Sequence, residues 1–227
     1  MCADSLPTGG GRGSVRSDPT VRIWKTCLTD GAERWKVAAG DDVDRADALL
    51  VRYRVYCEEL GYRWDTAEDS FDARADICAI RARDGAAIAS LRILGPEARP
   101  FEVERFARID HLAPQQSRLA EISRFCVLPP FRHISSFVHF AAFQFAFDLA
   151  RLERFSHFIV WVKPSLEPIY RYLLFEAVED AREFQHPDLG NALHRILLLN
   201  LNGLAERYGK SRHPLAKLLD REPSQRS

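Results

Sequence analysis

The chain of 227 residues reads as a single mixed α/β domain, in which a mostly antiparallel sheet runs into one parallel βαβ unit with helices on both faces. Three observations predict this. Asp84-Gly85 separates two β-like runs, residues 76–82 and 86–94, and so marks a hairpin. The alternating run at 119–127 is followed by a long apolar helical pattern and then by a continuous apolar run at 155–162. Strand, crossover helix and strand in that order give a parallel pair with a right-handed crossover. No linker interrupts the middle of the chain, so one core is expected.

The elements follow in order. Residues 1–20 are rich in Gly, Ser, Pro and Thr without an apolar run, which predicts a disordered tail, neither signal peptide nor anchor, ahead of a domain over 21–227. Residues 33–39 form a short strand. Asp41-Asp42 then cap a helix whose apolar face runs Ala46, Leu49, Leu50, Tyr53, Tyr56 and Leu60, and Gly61 stops it. Pro96 and Pro100 end the hairpin, and residues 101–112 read as a helical excursion. The strand at 119–127 closes at Pro129-Pro130, because proline cannot continue a central ladder. A helix from Ser135 or Ser136 to Leu152 leads to the strand at 155–162, and Ser165 caps a helix through Phe175. A last strand pair at 177–184 and 193–199 precedes a terminal helix from about Leu201.

Composition removes several function classes. Lys plus Arg and Asp plus Glu both total 32, so nothing in the bulk charge recruits nucleic acid or an anionic membrane. The five cysteines are odd in number, widely spaced and free of any CxxC pair, and the seven histidines have no metal-ligand spacing. A reducing cytoplasm, no metal and no covalent enzyme intermediate are expected. The aromatic stretch 137–147 is too short to span a bilayer, so no transmembrane segment is expected.

Chemistry concentrates in Leu119-Ala-Glu-Ile-Ser-Arg-Phe-Cys-Val127, whose alternation puts Glu121, Ser123 and Phe125 on one face with Arg124 beside them. A carboxylate held on a strand suits a general base. The alternatives are a strand carboxylate paired with Arg124 and a hydroxyl bonding its neighbours. Arg52-Tyr-Arg-Val-Tyr56, Asp69-Ser-Phe-Asp72, Ser90-Leu-Arg92 and Glu121-Ile-Ser-Arg124 fall in the order and spacing of motifs in the acyl-homoserine-lactone autoinducer synthases. N-acyl amino acid synthases and the bacterial acyltransferases of PEP-CTERM/exosortase systems share them. The chain thus resembles this branch of the GNAT superfamily over residues 45–180 or so.

The resemblance implies a GNAT-like domain transferring a medium or long acyl group from acyl carrier protein to the amine of a small, amino-acid-like acceptor. It implies Glu121 as base, Ser123 as orienting hydroxyl, and Arg52, Asp69, Asp72, Arg92 and Arg124 as a charged network organising the site. Backbone amides near Phe125, Cys126 and Val127 would meet the oxyanion. The segment 129–136 contains no glycine, which makes a coenzyme A pyrophosphate cradle doubtful and favours a carrier-protein phosphopantetheine, with acyl-CoA the other donor; no cofactor is permanently bound. Arg132 and His133 could meet the donor's phosphate, and Tyr170 could protonate the leaving thiolate. Phe137, Phe140, Phe143 and Phe147 share one helical arc and, with Trp161, either pack the core or line an acyl pocket. Tyr62 and Trp64 both compete for the single tryptophan position of the lactone synthases. Two rivals remain: an acyl-homoserine-lactone synthase using S-adenosylmethionine, and a non-catalytic acyl- or carrier-binding module.

Overall fold

The computed structural model describes residues 24–30, 33–39, 42–64, 67–82, 84–178 and 183–219. The expected N-terminal tail lies outside them. Among the described residues nine strands, numbered in chain order, form one mixed sheet in the order β1-β2-β3-β4-β5-β6-β9-β7, where β7 is Glu176–Ala177, and β8 (Phe184–His186) pairs with β9. β1 (Trp24–Asp30), β2 (Glu33–Ala39), β3 (Asp76–Arg81), β4 (Ala87–Leu94) and β5 (Leu119–Val127) run antiparallel in succession. β6 (His157–Val162) lies parallel to β5, and β9 (Ala192–Asn200) antiparallel to β6. The fold class read from the sequence is the one observed. β1 was not anticipated.

Helices cover both faces. On β3, Ile77 and Ala79 pack with Ala48 of α1 (Asp42–Tyr53), while the alternate Cys78 and Ile80 join the core beneath α2 (Ser135–Glu153). That core continues through Ile122, Phe158 and Val160 to Leu197 and Leu199. The opposite face holds a second cluster with Phe101, Ile159, Trp161 and Phe184. Among the described residues no helix is long and apolar enough to cross a membrane.

Several expectations need correction. The buried side of α1 is Ala48, Val51 and Arg52, whereas Leu50 and Tyr53 are exposed. Apolar periodicity pointed to the wrong arc because the buried arc carries a charged arginine. The helix widens into a π turn at Arg54–Glu59 and ends where expected, with Gly61 at φ +69°. Residues 101–112 are not a helix: only the 3-10 turn Val103–Arg105 forms, because this segment is threaded under the sheet as core and ligand to the charged network. Ser165 makes no cap. It lies in a 3-10 turn, and α3 runs only over Glu167–Tyr172. The strand expected at 177–184 is two fragments, β7 (Glu176–Ala177) and β8 (Phe184–His186), both on β9. The C-terminal helix begins at Leu204 as α4 (Leu204–Lys210), followed by α5 (Ala216–Leu219).

Phe158 is fully buried between Phe147 and Phe155 on the strand that carries the parallel pair. Phe158→Ala is expected to cost about 3–5 kcal/mol, read as a lower urea midpoint with an unchanged slope.

Candidate active site

The site begins where two parallel strands separate. β5 and β6 are in register from Leu119 opposite His157 only as far as Ile122 opposite Val160, yet β5 continues to Val127. On its other edge β5 carries a bulge: Ser90 faces Cys126 and Arg92 faces Ser123, so Arg124 and Phe125 together oppose Leu91. Arg124 takes φ +55°, a left-handed backbone costly for a side chain of this size. The bulge bends β5 away from β6. A cavity of about 530 Å³ fills the fork, lined by residues 122–127 and 160–163 and closed by Tyr56, Tyr62, Tyr170 and His194.

Beneath the fork lies a continuous buried charge network. Arg52 Nη1 donates to both Asp72 oxygens at 2.9 and 2.8 Å, and Arg92 Nη1 to both Asp69 oxygens at 2.7 and 2.8 Å and to Asp72 at 3.1 Å. Glu102, absent from the residues singled out in the sequence, is its hub. It accepts from Arg92 Nη2 and from Arg124 Nη2, and from His186 Nε2 at 3.2 Å. Arg124 closes the circuit on Asp69 at 3.0 Å, and its guanidinium lies 4.9 Å from the Trp64 ring and 5.8 Å from the Trp161 ring. Trp64, rather than Tyr62, is the aromatic ring against this arginine; Tyr62 stacks on Tyr56 at 6.1 Å. Burial by itself would raise Asp69 and Glu102, but the Arg92 and Arg124 guanidinium groups, with the His186 bond to Glu102, hold both carboxyls below their usual range.

Glu121 differs. Its Oε2 accepts the Val103 N–H at 2.9 Å, its buried Oε1 has no hydrogen-bond partner, and it does not line the cavity; Ser123, two residues along the same strand face, does. Burial, then the charge of Glu102, push the Glu121 carboxyl up to about 7 against the opposing pull of Arg92. Ser123 Oγ accepts from Arg92 Nε at 3.0 Å, which leaves its own proton to donate. A carboxyl that exchanges its proton near neutrality therefore sits one pleat behind a hydroxyl that faces the cavity.

The remaining expected residues divide. Leu128 N–H donates to Ile88 O at 2.9 Å, and ladder alternation turns the Cys126 N–H toward β4 as well and the Val127 N–H toward the fork. Phe125 sits in the bulge. The Cys126 thiol lines the cavity, but burial pushes it up to about 12, so it is held protonated. Arg132 lines the cavity, where it grips Glu59 with both Nη atoms at 2.6 and 2.7 Å and donates to Val127 O at 3.1 Å. His133 is exposed and lies outside the cavity lining, where His139 stands instead. Tyr170 lines the cavity, its ring edge-on to Phe143 and Phe175, and burial raises its hydroxyl to about 12.

The phenylalanine arc does not act as one wall. The Phe137 side chain lies outside the described residues, and Phe147 packs in the core with Phe143 and Phe158. Phe140 and Phe143 line a separate apolar pocket of about 250 Å³ between α2 and α3, which shares His139 and Ile169 with the larger cavity. Trp161 belongs to the larger cavity, stacked on His186 at 5.0 Å, because its strand position faces the network and not α2. Lys163 and His194, which no local sequence pattern singles out, also line the fork. Strand alternation flagged Glu121 and Ser123, but nothing local marks Glu102, which occupies a short turn, or the two β8–β9 histidines.

Residues 51–141, from the end of α1 to the start of α2, match a family model described as an acetyltransferase (GNAT) domain. No curated protein matches the sequence. Among solved structures, FeeM, an N-acyl amino acid synthase from uncultured soil microbes, is 16% identical with a TM-score of 0.59, covering 83% of this chain and 100% of its own. The AHL synthase LasI is 15% identical with a TM-score of 0.57, covering 76% of this chain and 92% of its own. BjaI, a CoA-dependent acyl-homoserine lactone synthase, is 14% identical with a TM-score of 0.51, covering 74% of this chain and 82% of its own. At these identities the likeness is one of fold.

Two outcomes follow from the geometry. Asp72→Ala strands Arg52, both side chains being fully buried, and is expected to cost about 3–5 kcal/mol in chemical denaturation. Glu121 has the opposite sign to a salt-bridged acid: its folded-state value exceeds its unfolded one, so the folded chain binds the proton more tightly. The stability it contributes is complete below about pH 4.5 and is lost as pH rises to about 7. Glu121→Gln should therefore flatten the fall in Tm between those pH values relative to the parent.

Proposed function

We propose that the protein is an N-acyltransferase that moves a medium or long acyl group from an acyl carrier protein thioester to the amine of a small amino-acid-like acceptor, giving an N-acyl amino acid. The observation that carries this reading is the fork: a cavity opened by the splay of β5 and β6, with the Glu121 carboxyl poised near neutrality behind the Ser123 hydroxyl. The GNAT domain match supports acyl transfer as the reaction class.

Each step finds a group. The acceptor ammonium must lose a proton before its nitrogen can attack. Glu121 takes it through Ser123 or a water, since Glu121 itself stands off the cavity. The nitrogen lone pair adds to the thioester carbonyl, and the oxyanion meets the Val127 N–H turned into the fork, beside Phe125 in the bulge. Collapse breaks the C–S bond and forms the amide. As the amide forms the nitrogen sheds its second proton, and the departing thiolate takes a proton from the Tyr170 hydroxyl, a cavity-lining donor kept protonated by burial, which regains one through water from that nitrogen.

The donor reading rests on the segment after β5. Pro129–Ile134 forms a 3-10 turn in which the two prolines lack N–H groups and the Phe131 N–H is already given to Leu128 O at 3.0 Å. Few amides remain to cradle a pyrophosphate, whereas a phosphopantetheine arm carries a single phosphate and needs fewer. The acyl tail extends toward Phe140 and Phe143, in the apolar pocket that adjoins the fork.

Purified protein incubated with acyl carrier protein thioesters and a panel of amino acids should release free carrier thiol, with an N-acyl amino acid identified by mass spectrometry. A lactone ring in the product, or binding without turnover, would overturn the reading. Glu121→Gln is expected to lower kcat/KM by roughly two orders of magnitude or more. The parent's kcat/KM should rise with pH to a plateau above about 7, as the base loses its proton.

A further inference from the structure

The fork is lined by donors that the protein leaves without partners. Within the network three guanidinium groups, on Arg52, Arg92 and Arg124, face three carboxylates, on Asp69, Asp72 and Glu102. Arg124 spends Nε and Nη2 on Asp69 and Glu102, while its buried Nη1 has no partner although Arg124 lines the cavity. Its side chain is 4% exposed, so water does not readily repay that lost hydrogen bond.

Lys163, the residue after β6, is a further cation in the same cavity. Among the described residues its Nζ donates to the Tyr62 hydroxyl, at 3.2 Å, and to no carboxylate, which leaves two of its three protons for a ligand. A third lining residue, Trp161, has a buried indole N–H without a partner. Lys163 Nζ lies 6.0 Å from the Tyr62 ring, whose centroid is 6.2 Å from that of Trp64, the ring 4.9 Å from the Arg124 guanidinium, and His194 lines the same cavity. His194 gives its Nδ1 to Ala192 O at 2.8 Å, and burial with these cations lowers it to about 4. It stays neutral and adds no competing charge.

We propose that this corner is a carboxylate subsite: Arg124 Nη1 and Lys163 Nζ together bind the carboxylate of the amine acceptor. This deepens the N-acyltransferase reading and rests on it. The subsite selects anionic acceptors, meaning free amino acids with uncharged or acidic side chains, over amines or amides that lack the carboxylate. An acceptor carrying an additional fixed positive charge, such as a sulfonium, meets an uncompensated lysine in the same corner and is disfavoured. The aromatic rings of Tyr62 and Trp161 bound the corner and limit how far water screens the pair.

The test separates this subsite from the reaction itself. N-decanoyl-L-phenylalanine, a product-like probe, and its C-terminal carboxamide are titrated into the protein by intrinsic tryptophan fluorescence, with Trp64 and Trp161 flanking Arg124 as reporters. The free acid is expected to bind at least ten-fold more tightly than the amide, as losing a charge-assisted hydrogen bond in a partly buried site implies. Lys163→Met should bring the acid-to-amide ratio close to one, and Lys163→Arg should keep it, with unchanged Tm showing that each variant folds. Equal binding of acid and amide to the parent, absence of binding by both, or a ratio unaffected in Lys163→Met would overturn the proposal. An acid preference that depends on Lys163 supports it even if no amine is acylated. Turnover of an amine with no such preference instead leaves acyl transfer standing and removes the subsite.

Discussion

Glu102 accepts from three buried donors, on Arg92, Arg124 and His186, and the remainder of the site is arranged by the need to keep those donors matched. A guanidinium removed from water must find carboxylates with good geometry or the fold loses more than any one contact returns. Meeting that requirement ties together parts far apart in the chain. Arg52 reaches from α1, Asp69 and Asp72 from the turn before β3, Arg92 from β4, Glu102 from the turn before β5, and His186 from β8. Asp69 and Asp72 first organise each other: the Asp72 carboxylate accepts the Asp69 N–H at 2.8 Å, and Asp69 accepts the Phe71 N–H at 2.9 Å. Both carboxylates are thereby aimed by bonds within their own turn.

The same network sustains the strained backbone that opens the cavity. Arg124 holds a positive φ because its guanidinium is fixed by Asp69, Glu102 and two tryptophan rings. The bulge follows from that conformation, and the fork follows from the bulge. Charge balance then differentiates the carboxyls. Asp69 and Glu102 are held ionised by direct arginine contacts, while Glu121, buried without an arginine hydrogen bond and close to the charge of Glu102, is driven toward neutrality. Environment alone assigns structural roles to two acids and leaves the third able to exchange a proton.

Much of this was legible locally. Asp84-Gly85 gave the hairpin, with Gly85 at φ +92°, and period-two alternation placed Glu121 and Ser123 on one strand face. Arg52, Asp69, Asp72, Arg92 and Arg124 from the four motifs do meet, although spacing alone was equally compatible with separate surface pairs. The errors share one cause. The buried arc of α1, the segment around Glu102 and the split of β7 from β8 each depend on satisfying charge or packing from distant strands, and hydropathy periodicity carries no record of that demand.

The sequence by itself determined the run from β2 to β6 with α1 and α2 in their places, the parallel pairing of β5 with β6 and the strand face of Glu121, because hydropathy period and turn residues depend on neighbours within a few residues. Tertiary structure decided what that acid is. Only the stacking of β4, β5 and the 101–105 turn buries Glu121 beside Glu102, and only the divergence of β5 from β6 places Ser123, Lys163 and the unpaired Arg124 Nη1 around one space. Proton affinity and ligand charge preference are properties of local dielectric and of charges brought from elsewhere in the chain, and these exist only after folding.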